Sequence, residues 1–431
     1  MARQMKSSGV EWIGDIPEKW DVCKIINCLS SIGSGTTPQG QEYYENEYIP
    51  WLNTGDLNDG YIEKTEKSVS EKALSDYSVL KRFDAGSVVV AMYGATVGKL
   101  GIVTSSLVTN QACCVMTSNE KLYNKFLFYL FMAGKTYLIS LSLGSGQPNI
   151  NQNTVKTFDI PFVPLSEQKE IADYLDDRCG KIDDFIAKQK TVIEKLKEYK
   201  QSVITEAVTK GLAPAAPMKS SGVDWIGDIP EKWEVQRLKT LLSKPLQYGA
   251  NAAGVEYNKN LPRYIRITDI STDNKLREND PQSLPLDIAT PFLLENGDIL
   301  FARSGATVGK TFQFKICYGK AAFAGYLIRA QLKNKISSSF VYYYTLSFAY
   351  DEWKNRIFIQ STIQNIGANK YSNLEIPYPP LSEQKEIADY LDAKCAEIDA
   401  FIAKKQVVID KLTEYKKSLI YECVTGKREV A

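Results

Sequence analysis

A stretch of sequence that occurs twice places the strongest constraint on the fold. Residues 164–176 read PLSEQKEIADYLD, and residues 380–392 repeat these letters without a change. The similarity continues, less strictly, to Thr209 in the first copy and to Thr425 in the second. Because both copies carry the same pattern of side chains, we expect them to adopt the same structure.

Both copies have the pattern of a long α-helix. Apolar residues recur with a seven-residue period along two rows, and the polar Gln189 and Lys405 stand at equivalent positions near the two midpoints. Such a helix spans roughly 65 Å at about 1.5 Å per residue. The apolar stripes of the two copies have the same length. Packing of the two helices on each other explains this better than packing of each helix on its own domain. The residues predicted for the seam are Leu175, Ile182, Phe185, Gln189, Val192, Leu196, Tyr199, Val203, Leu391, Ile398, Phe401, Lys405, Val408, Leu412, Tyr415 and Leu419.

The duplication extends over the whole chain. Residues 5–20, which contain two tryptophans, return at 218–233 with Asp224 in place of Glu11 as the one change. We interpret this opening segment as a structural clasp that packs against a neighbouring helix. Each opening segment is followed by short strand signals separated by loops rich in Gly, Ser, Thr and Asn, which is typical of an α+β module.

The predicted fold class is therefore α+β, arranged as a tandem duplication. The two modules differ in sequence, whereas the opening segments and helices around them are nearly identical. Two similar scaffolds therefore present modules with different surfaces. The predicted boundaries are 1–163 for the first opening segment and module, 164–211 for the first long helix, 212–217 for a linker, 218–379 for the repeated opening segment and second module, 380–426 for the second long helix and 427–431 for a tail.

Connectivity predicts how the repeats are arranged. The short, proline-stiffened linker delivers the second module to the end of the first helix, so the second helix must run back antiparallel in order to pack on the first. A pseudo-twofold axis then crosses the helix pair, with one module at each end. We expect Gln189 and Lys405 to meet near this axis, unless both lie at an exposed crossing point. Two modules related by a twofold axis match the symmetry of duplex DNA.

Composition excludes several classes of protein. The chain of 431 residues has a formal net charge of +1, so any contact with nucleic acid must be local. It contains no histidine, which removes Ser-His-Asp and Cys-His catalysis and histidine ligands for metals. The eight cysteines lack CxxC spacing, no apolar run reaches the length of a membrane span and no signal peptide is visible. We therefore expect a reduced, cytosolic protein.

One motif partly matches a phosphate-binding loop. Residues 304–311 read SGATVGKT, but the signature requires glycine where Ser304 stands, and the equivalent residues 93–100 end in leucine instead of Ser or Thr. Nucleotide hydrolysis is therefore the least favoured function. We interpret both motifs as turns that end a strand, in which Lys99 and Lys310 either contact a DNA phosphate or only complete the turn.

Base-reading residues are sought among the polar and aromatic side chains of the loops, because these side chains form hydrogen bonds and stacking contacts with bases. Asp56 and Asp269 stand at equivalent strand ends and are interpreted as turn-stabilising, so no catalytic or metal-binding residue is predicted. The candidate DNA contacts of the first module are Thr36, Thr37, Trp51, Asn53, Thr54, Tyr93, Thr96, Lys99, Asn110, Gln111, Gln147 and Asn149. Those of the second module are Tyr248, Arg263, Arg266, Thr268, Arg303, Ser304, Thr307, Lys310, Tyr326, Gln360, Thr362, Gln364 and Asn365.

These motifs together resemble a known family. The duplicated opening segment, the GATVGK turns at 94–99 and 305–310 and the PLSEQKEIA helices look like the specificity subunit of type I DNA restriction-modification enzymes. The resemblance covers nearly the whole chain. It implies two target recognition domains, each reading one half of a bipartite, asymmetric DNA site, and an antiparallel coiled coil that sets the spacing between the halves.

The same resemblance implies partners. Two copies of a methyltransferase subunit would dock on this scaffold, bind S-adenosylmethionine and methylate adenine, and up to two restriction subunits would add reactions that need ATP with magnesium. This chain itself would bind no cofactor and catalyse no reaction. It would act on double-stranded DNA in the cytoplasm of a bacterium or archaeon, away from membranes. The alternative is a two-module protein-interaction scaffold that does not bind DNA.

Overall fold

The protein consists of two compact units. The structure, a computed structural model, describes residues 3–45, 48–142, 149–271, 273–305, 307–359 and 365–430. Unit 1 comprises Met1–Gln189 together with Val407–Ala431, and unit 2 comprises Lys190–Gln406. The division falls within the two long helices, so each unit contains one module and a part of each helix.

Unit 1 combines short strands with module helices and a part of each long helix. Its strands are β1 (Met5–Ser7), β2 (Asp15–Pro17), β3 (Asp21–Lys24), β4 (Leu29–Gly33), β5 (Ile49–Leu52), β6 (Gly60–Ile62), β7 (Lys67–Val69), β8 (Val88–Ala91), β9 (Leu100–Val103), β10 (Val108–Thr109), β11 (Cys113–Ser118) and β12 (Asp159–Phe162). Its helices are α1 (Glu71–Asp76), α2 (Asn124–Ser140), α3 (Gln152–Lys156) and the N-terminal part of α4 (Leu165–Lys210).

The central sheet of unit 1 has the strand order β4-β11-β8-β9-β6, in which β6 and β9 are parallel and the other neighbours are antiparallel. Side chains alternate across this sheet, as the strand period requires. Val88 and Val90 of β8 belong to the core cluster shared with α2 and α4. Val89 and Ala91 belong to a second cluster on the other face, which includes Leu52 from the smaller sheet β10-β5-β7.

Unit 2 repeats this plan with a different set of elements. Its strands are β13 (Met218–Ser220), β14 (Asp228–Pro230), β15 (Glu234–Arg237), β16 (Gln247–Tyr248), β17 (Val255–Glu256), β18 (Arg263–Ile265), β19 (Gln282–Ser283), β20 (Ile299–Ala302), β21 (Thr311–Gln313), β22 (Ala321–Phe323), β23 (Leu327–Ala330) and β24 (Glu375–Tyr378). Its helices are the C-terminal part of α4, α5 (Leu238–Leu241), α6 (Leu286–Ala289), α7 (Ser338–Tyr344), α8 (Phe348–Ile359), α9 (Ala368–Ser372) and the N-terminal part of α10 (Leu381–Val424), whose last part belongs to unit 1.

The central sheet of unit 2 has the antiparallel order β16-β23-β20-β21, and a second sheet has the order β17-β19-β18-β22. Ile299 and Phe301 of β20 face the cluster that includes α7 and α8. Leu300 and Ala302 face the cluster that includes Ile265 of the second sheet. The α+β class and the tandem duplication predicted from the sequence are therefore confirmed.

The long helices pack antiparallel in unit 1. Asp183 of α4 forms an ion pair with Lys416 of α10 at 2.6 Å. One turn earlier in α4, Cys179 shares a core cluster with Cys423, which lies about two turns later in α10. As one helix advances the other therefore retreats, which is the antiparallel direction.

The same direction holds in unit 2. Lys200 of α4 forms an ion pair with Asp399 of α10 at 2.7 Å. Later in α4, Ala207 shares a core cluster with Leu391, which lies earlier in α10. The prediction of two long antiparallel helices is confirmed.

The packed rows of these helices differ in part from the predicted seam. The first predicted row is buried or half-buried: Leu175, Ile182, Gln189, Leu196, Val203, Leu391, Ile398, Lys405, Leu412 and Leu419. The second predicted row is exposed, and its assignment to the seam is wrong: Phe185, Val192, Tyr199, Phe401, Val408 and Tyr415. The row four residues after the first is buried or half-buried instead: Cys179, Ile186, Ile193, Cys395, Ile402 and Ile409. Both rows are apolar; the row of cysteine and isoleucine side chains packs in the seam, and the row that contains the aromatic rings remains on the flank.

The opening segments dock on the first turns of the long helices. The Trp20 indole donates a hydrogen bond to Glu167 at 2.9 Å, and the Trp233 indole donates to the equivalent Glu383 at 3.0 Å. Both tryptophans are fully buried. The clasp predicted for these segments is confirmed. Within the described part of the chain, no helix is both long and apolar enough to cross a membrane.

Candidate nucleic-acid interface

Loops of unit 1 converge where strand β8 ends. The Met92 N–H donates to the Ala112 carbonyl at 2.8 Å, and the Ile150 N–H donates to the Met92 carbonyl at 2.7 Å. These two bonds bring the loop between β10 and β11 and the segment before α3 to the same strand end. Asn149, a predicted DNA contact, precedes Ile150 and is exposed.

Several predicted contacts form a connected group at this strand end. The Thr37 hydroxyl donates to the Gln111 side-chain carbonyl at 2.8 Å, and the Tyr93 hydroxyl donates to the Gln111 backbone carbonyl. The Asn110 side-chain carbonyl accepts from the Ala112 N–H at 3.0 Å. Hydroxyl and amide groups held in this way can form hydrogen bonds with base edges.

Asn53 and Thr54 lie on a turn beside this group. The Asn110 N–H donates to the Leu52 carbonyl at 3.0 Å, which joins the turn to the loop that follows β10. The Asp56 carboxylate accepts from the Asn53 N–H at 2.9 Å, so the turn-stabilising role predicted for Asp56 is confirmed.

Trp51 is buried in the core, and its prediction as a DNA contact is corrected. The side chain is 5% exposed. Its indole N–H donates to the Thr36 carbonyl at 3.1 Å, and its ring lies edge-on to Tyr44 at 6.1 Å between centroids. Trp51 is a core residue that positions the Thr36 backbone, whereas Thr36 itself stays half-exposed.

Thr96 and Lys99 lie on the turn between β8 and β9. The Lys99 N–H donates to the Thr96 carbonyl at 2.9 Å, and both residues are half-exposed. Gly98 adopts a φ of 75° in this turn, and Gly309 adopts 80° in the equivalent turn of unit 2. This left-handed conformation favours glycine, which explains why the two turns share their sequence.

Unit 2 has the same backbone arrangement where strand β20 ends. The Arg303 N–H donates to the Tyr326 carbonyl at 3.0 Å, and the Ile366 N–H donates to the Arg303 carbonyl at 2.9 Å. Arg303 therefore occupies the position that Met92 occupies in unit 1.

Predicted contacts surround Arg303. Its guanidinium lies 5.0 Å from the centroid of the Tyr248 ring, a cation–π distance. The Tyr248 hydroxyl accepts from the Ala368 N–H at 3.1 Å, which holds the ring in place. Ser304 forms a β-bridge with Asn365 on the adjoining segment.

Three polar atoms in this group have no partner. Within the described part of the chain, Arg303 Nε, Thr307 Oγ1 and Asn365 Oδ1 are buried and form no hydrogen bond. Buried polar groups are normally paired, because an unpaired one costs about 1–3 kcal/mol. This strand end therefore carries several polar atoms that the described part of the protein leaves unpaired.

A cleft of about 530 Å³ adjoins this group. Its lining includes the predicted contacts Arg266, Thr268 and Tyr326. It also includes Asn251 and Gln282, which were not predicted. The sequence contains a feature that could have predicted Asn251: residues 249–254 read GANAAG between two strands. Small residues allow a ligand to approach the backbone closely.

Two arginines of this domain already have acidic partners. Arg266 donates to the Asp269 carboxylate at 2.8 Å, and this hydrogen bond raises the pKa of the Arg266 guanidinium. Asp269 therefore stabilises its turn, as predicted. Arg263 pairs with Glu278 at 3.0 Å and its side chain is 11% exposed, so it is a weak candidate for contact with a base.

Lys310 lines a different cleft of unit 2. This cleft has a volume of about 720 Å³ and includes Lys197 and Lys200 of α4.

Four predicted contacts lie outside the described residues: Gln147, Gln360, Thr362 and Gln364.

Both strand ends offer hydrogen-bond donors, acceptors and aromatic rings. Within the described ranges, no group of three or more His, Cys, Asp or Glu side chains is arranged to hold a metal ion. The side chains assembled at the two strand ends are of the types that bind base edges and phosphates.

Comparison with known proteins identifies the family. The sequence matches the type I restriction modification DNA specificity domain over residues 17–196 and again over residues 230–410. The chain belongs to this family. Having two specificity domains in tandem, it is a DNA sequence-recognition subunit of the type I restriction-modification class, and the scaffold that does not bind DNA is not favoured.

Relatives of this specificity subunit cover nearly all of it. It is 27% identical over 427 residues to the type I restriction enzyme MjaVIII specificity subunit of Methanocaldococcus jannaschii, with 96% of this chain and 94% of that relative aligned. It is 21% identical to the EcoKI specificity subunit of Escherichia coli, with 96% and 90% aligned. A structure described as "Structural basis underlying complex assembly and conformational transition of the type I R-M system" shares the fold, with a TM-score of 0.71 at 17% identity over 96% of this chain and 99% of that one.

Proposed function

We propose that each recognition domain of this specificity subunit reads one half of a bipartite, asymmetric DNA site, and that the two long helices set the spacing between the halves. We assign the recognition domains to residues 1–163 and 218–379, with the helices at 164–211 and 380–426. The subunit directs the chemistry of other proteins and catalyses no reaction itself.

The observation that carries this proposal is the contrast at the two equivalent strand ends. The backbone hydrogen bonds around Met92 are reproduced around Arg303, whereas the side chains differ. One position is apolar and buried, and the other carries a guanidinium stacked on Tyr248. Two domains that bind different DNA sequences can share a backbone arrangement but need different side chains to contact the bases.

The exposed apolar residues of the long helices support docking of two methyltransferase subunits. In unit 1, Phe185 lies two residues after the Asp183 that pairs with Lys416, and Tyr415 lies one residue before that lysine. The two exposed rings therefore belong to neighbouring turns of the paired helices. Exposed apolar residues in a regular row are typical of a protein-binding surface.

Unit 2 carries the equivalent pair. Tyr199 lies one residue before the Lys200 that pairs with Asp399, and Phe401 lies two residues after that aspartate. The exposed fractions are also similar, at 51% for Tyr199 and 49% for Tyr415. One apolar pair in each unit supports a stoichiometry of one methyltransferase subunit per unit.

The reaction then belongs to the partners. The methyltransferase subunits would bind S-adenosylmethionine and methylate adenine, and restriction subunits, where two of them join the complex, would use ATP with magnesium. The present chain would bind double-stranded DNA and no cofactor. We place the complex on DNA in the cytoplasm of a bacterium or archaeon.

The decisive experiment expresses the chain with the methyltransferase encoded beside it and maps N6-methyladenine across the genome by single-molecule sequencing. We expect a bipartite motif with a fixed spacer. Replacing residues 234–379 by the equivalent region of a relative should change one half of the motif and leave the other half intact. A complex that assembles but methylates without a bipartite motif would overturn the proposal.

A further inference from the structure

We propose that Arg303 reads a guanine in the half-site of the second recognition domain. The guanidinium would donate two hydrogen bonds to N7 and O6 of the base in the major groove, a pairing that arginine geometry favours. This inference rests on the proposed function and deepens it, because it names a base pair that the second half-site must contain.

The guanidinium of Arg303 is held in place and has no acidic partner. It lies 5.0 Å from the centroid of the Tyr248 ring, and the Tyr248 hydroxyl is fixed by the Ala368 N–H at 3.1 Å. Within the described residues, no carboxylate pairs with Arg303, and its buried Nε has no hydrogen-bond acceptor. An arginine oriented in advance loses less conformational freedom when it binds.

The other partly buried arginines of this domain are already engaged. Arg263 pairs with Glu278 at 3.0 Å, Arg266 pairs with Asp269 at 2.8 Å and Arg329 donates to the Leu293 carbonyl at 2.6 Å. The buried Nε of Arg263 is also unpaired, but its guanidinium forms an ion pair with Glu278, whereas no carboxylate among the described residues pairs with Arg303. A base that supplies two acceptors would compensate this charge.

Unit 1 shows that the fold does not require an arginine at this position. Met92 occupies the equivalent site, is 4% exposed, and makes the same two backbone hydrogen bonds. The residue equivalent to Tyr248 is Ser34, whose hydroxyl accepts from Gln152 at 2.8 Å. The arginine and the ring beneath it therefore occur together in the second domain, where a structural role alone would be met by methionine and serine.

Two more unpaired atoms lie beside the guanidinium. Asn365, which bridges to Ser304, has a buried side-chain oxygen with no partner among the described residues, and the Thr307 hydroxyl is in the same condition. These atoms lie on segments directly joined to Arg303. Both atoms are buried, so they would form hydrogen bonds to a base only if these segments shift when DNA binds.

The test uses the complete methyltransferase complex with R303M, which introduces the residue found at the equivalent position in unit 1. A duplex oligonucleotide library, randomised across the second half-site, is methylated with S-adenosylmethionine and sequenced. The wild-type complex should require guanine at one position. In R303M, discrimination at that position should fall on the order of 10- to 100-fold, while the first half-site and the spacer stay unchanged.

R237M removes an exposed arginine from the same unit and should leave every position of the motif unchanged. R303Q serves as a second variant that keeps a polar side chain beside Tyr248, and it should lose the guanine preference as well. Copurification of the methyltransferase confirms assembly for each variant.

The outcomes are distinct. A uniform loss of methylation with the motif intact would make Arg303 a phosphate contact and overturn the inference. Retention of all base preferences by R303M, or the absence of a required guanine in the wild-type half-site, would overturn it also. Failure of the wild-type complex to show any bipartite motif would instead contradict the proposed function.

Discussion

At the scale of single residues, side chains of the repeated segment form specific hydrogen bonds. Gln168 is 1% exposed, and its side-chain carbonyl accepts from the Tyr123 N–H at 2.8 Å. Its amide donates to the carbonyls of Lys121 and Val163 at 2.9 and 2.7 Å. One buried side chain thus fixes the start of α4 to the loop that precedes α2.

The second copy reproduces this role. Gln384 is also 1% exposed, accepts from the Ser337 N–H at 2.9 Å and donates to the Pro379 carbonyl at 2.8 Å. Each glutamine satisfies backbone groups that would otherwise be buried without partners. The repeat is therefore identical in sequence where the two domains attach to their helices.

An acidic residue later in the repeat has a partner in both copies. The Tyr129 hydroxyl donates to Asp176 at 2.7 Å, and the Tyr343 hydroxyl donates to Asp392 at 2.6 Å. Burial raises the pKa of each tyrosine, and the hydrogen bond to the carboxylate raises it further. Both phenols thus stay protonated and act as donors.

We predict that Gln168→Ala and Gln384→Ala each destabilise the attachment of a domain to its helix. The loss should be about 1–3 kcal/mol for each buried polar group left without a partner. Urea unfolding followed by tryptophan fluorescence should show a lower midpoint for each variant, because Trp20 and Trp233 are buried at these attachments.

Lys169→Ala provides the matched control, since Lys169 is the exposed neighbour of Gln168 in the same turn. Its midpoint should stay close to that of the wild type. Equal midpoints for Gln168→Ala and Lys169→Ala would show that these hydrogen bonds do not stabilise the attachment.

At the scale of elements, the sequence predicted the helices more reliably than the rows by which they pack. The identical repeats and their seven-residue period were sufficient to predict two long antiparallel helices. They could not decide between the rows three and four residues after Ile182 and Gln189, because both rows are apolar there. The row of Ile186 and Ile193 packs within the protein, and the row of Phe185 does not. The exposed row is the one that we propose as the docking surface for the methyltransferase.

We predict that Phe185→Glu combined with Tyr415→Glu reduces methyltransferase binding at unit 1 and leaves the fold intact, because both side chains are exposed. The combination Tyr199→Glu with Phe401→Glu should do the same at unit 2. Mass determination by light scattering should show a complex with one methyltransferase subunit for each pair of changes, and none when both pairs are combined.

Lys188→Glu with Lys195→Glu is the control for a change of charge on the exposed helix surface. This variant should bind two methyltransferase subunits. Full occupancy of the complex that carries all four changes at the apolar pairs would refute this surface as the docking site.

At the scale of the whole molecule, the duplication could be predicted in outline because the repeated segments are nearly identical in sequence. The recognition surfaces could not, because their side chains are unique to each domain and only the folded loops show which of them meet. Trp51 illustrates the difficulty: its position at a strand end suggested a base contact, yet the pleat of β5 directs it into the core. Arg303 was one of many loop candidates in the sequence, and only the structure shows that no carboxylate among the described residues pairs with it.

The proposed role of the long helices leads to a prediction about spacing. Insertion of one heptad after Gln189 in α4 and after Lys405 in α10, with the seam residues continued, lengthens each helix by about 10 Å at about 1.5 Å per residue. Duplex DNA rises about 3.4 Å per base pair, so the half-sites should be separated by about three additional base pairs. Sequencing of methylated adenines should find both original half-sites with the longer spacer, or strongly reduced methylation at sites with the original spacer. Insertion into α4 alone should disturb the antiparallel register and impair assembly. An unchanged spacer methylated at the wild-type rate, in a complex that contains both insertions, would show that the helices do not set the distance between the half-sites.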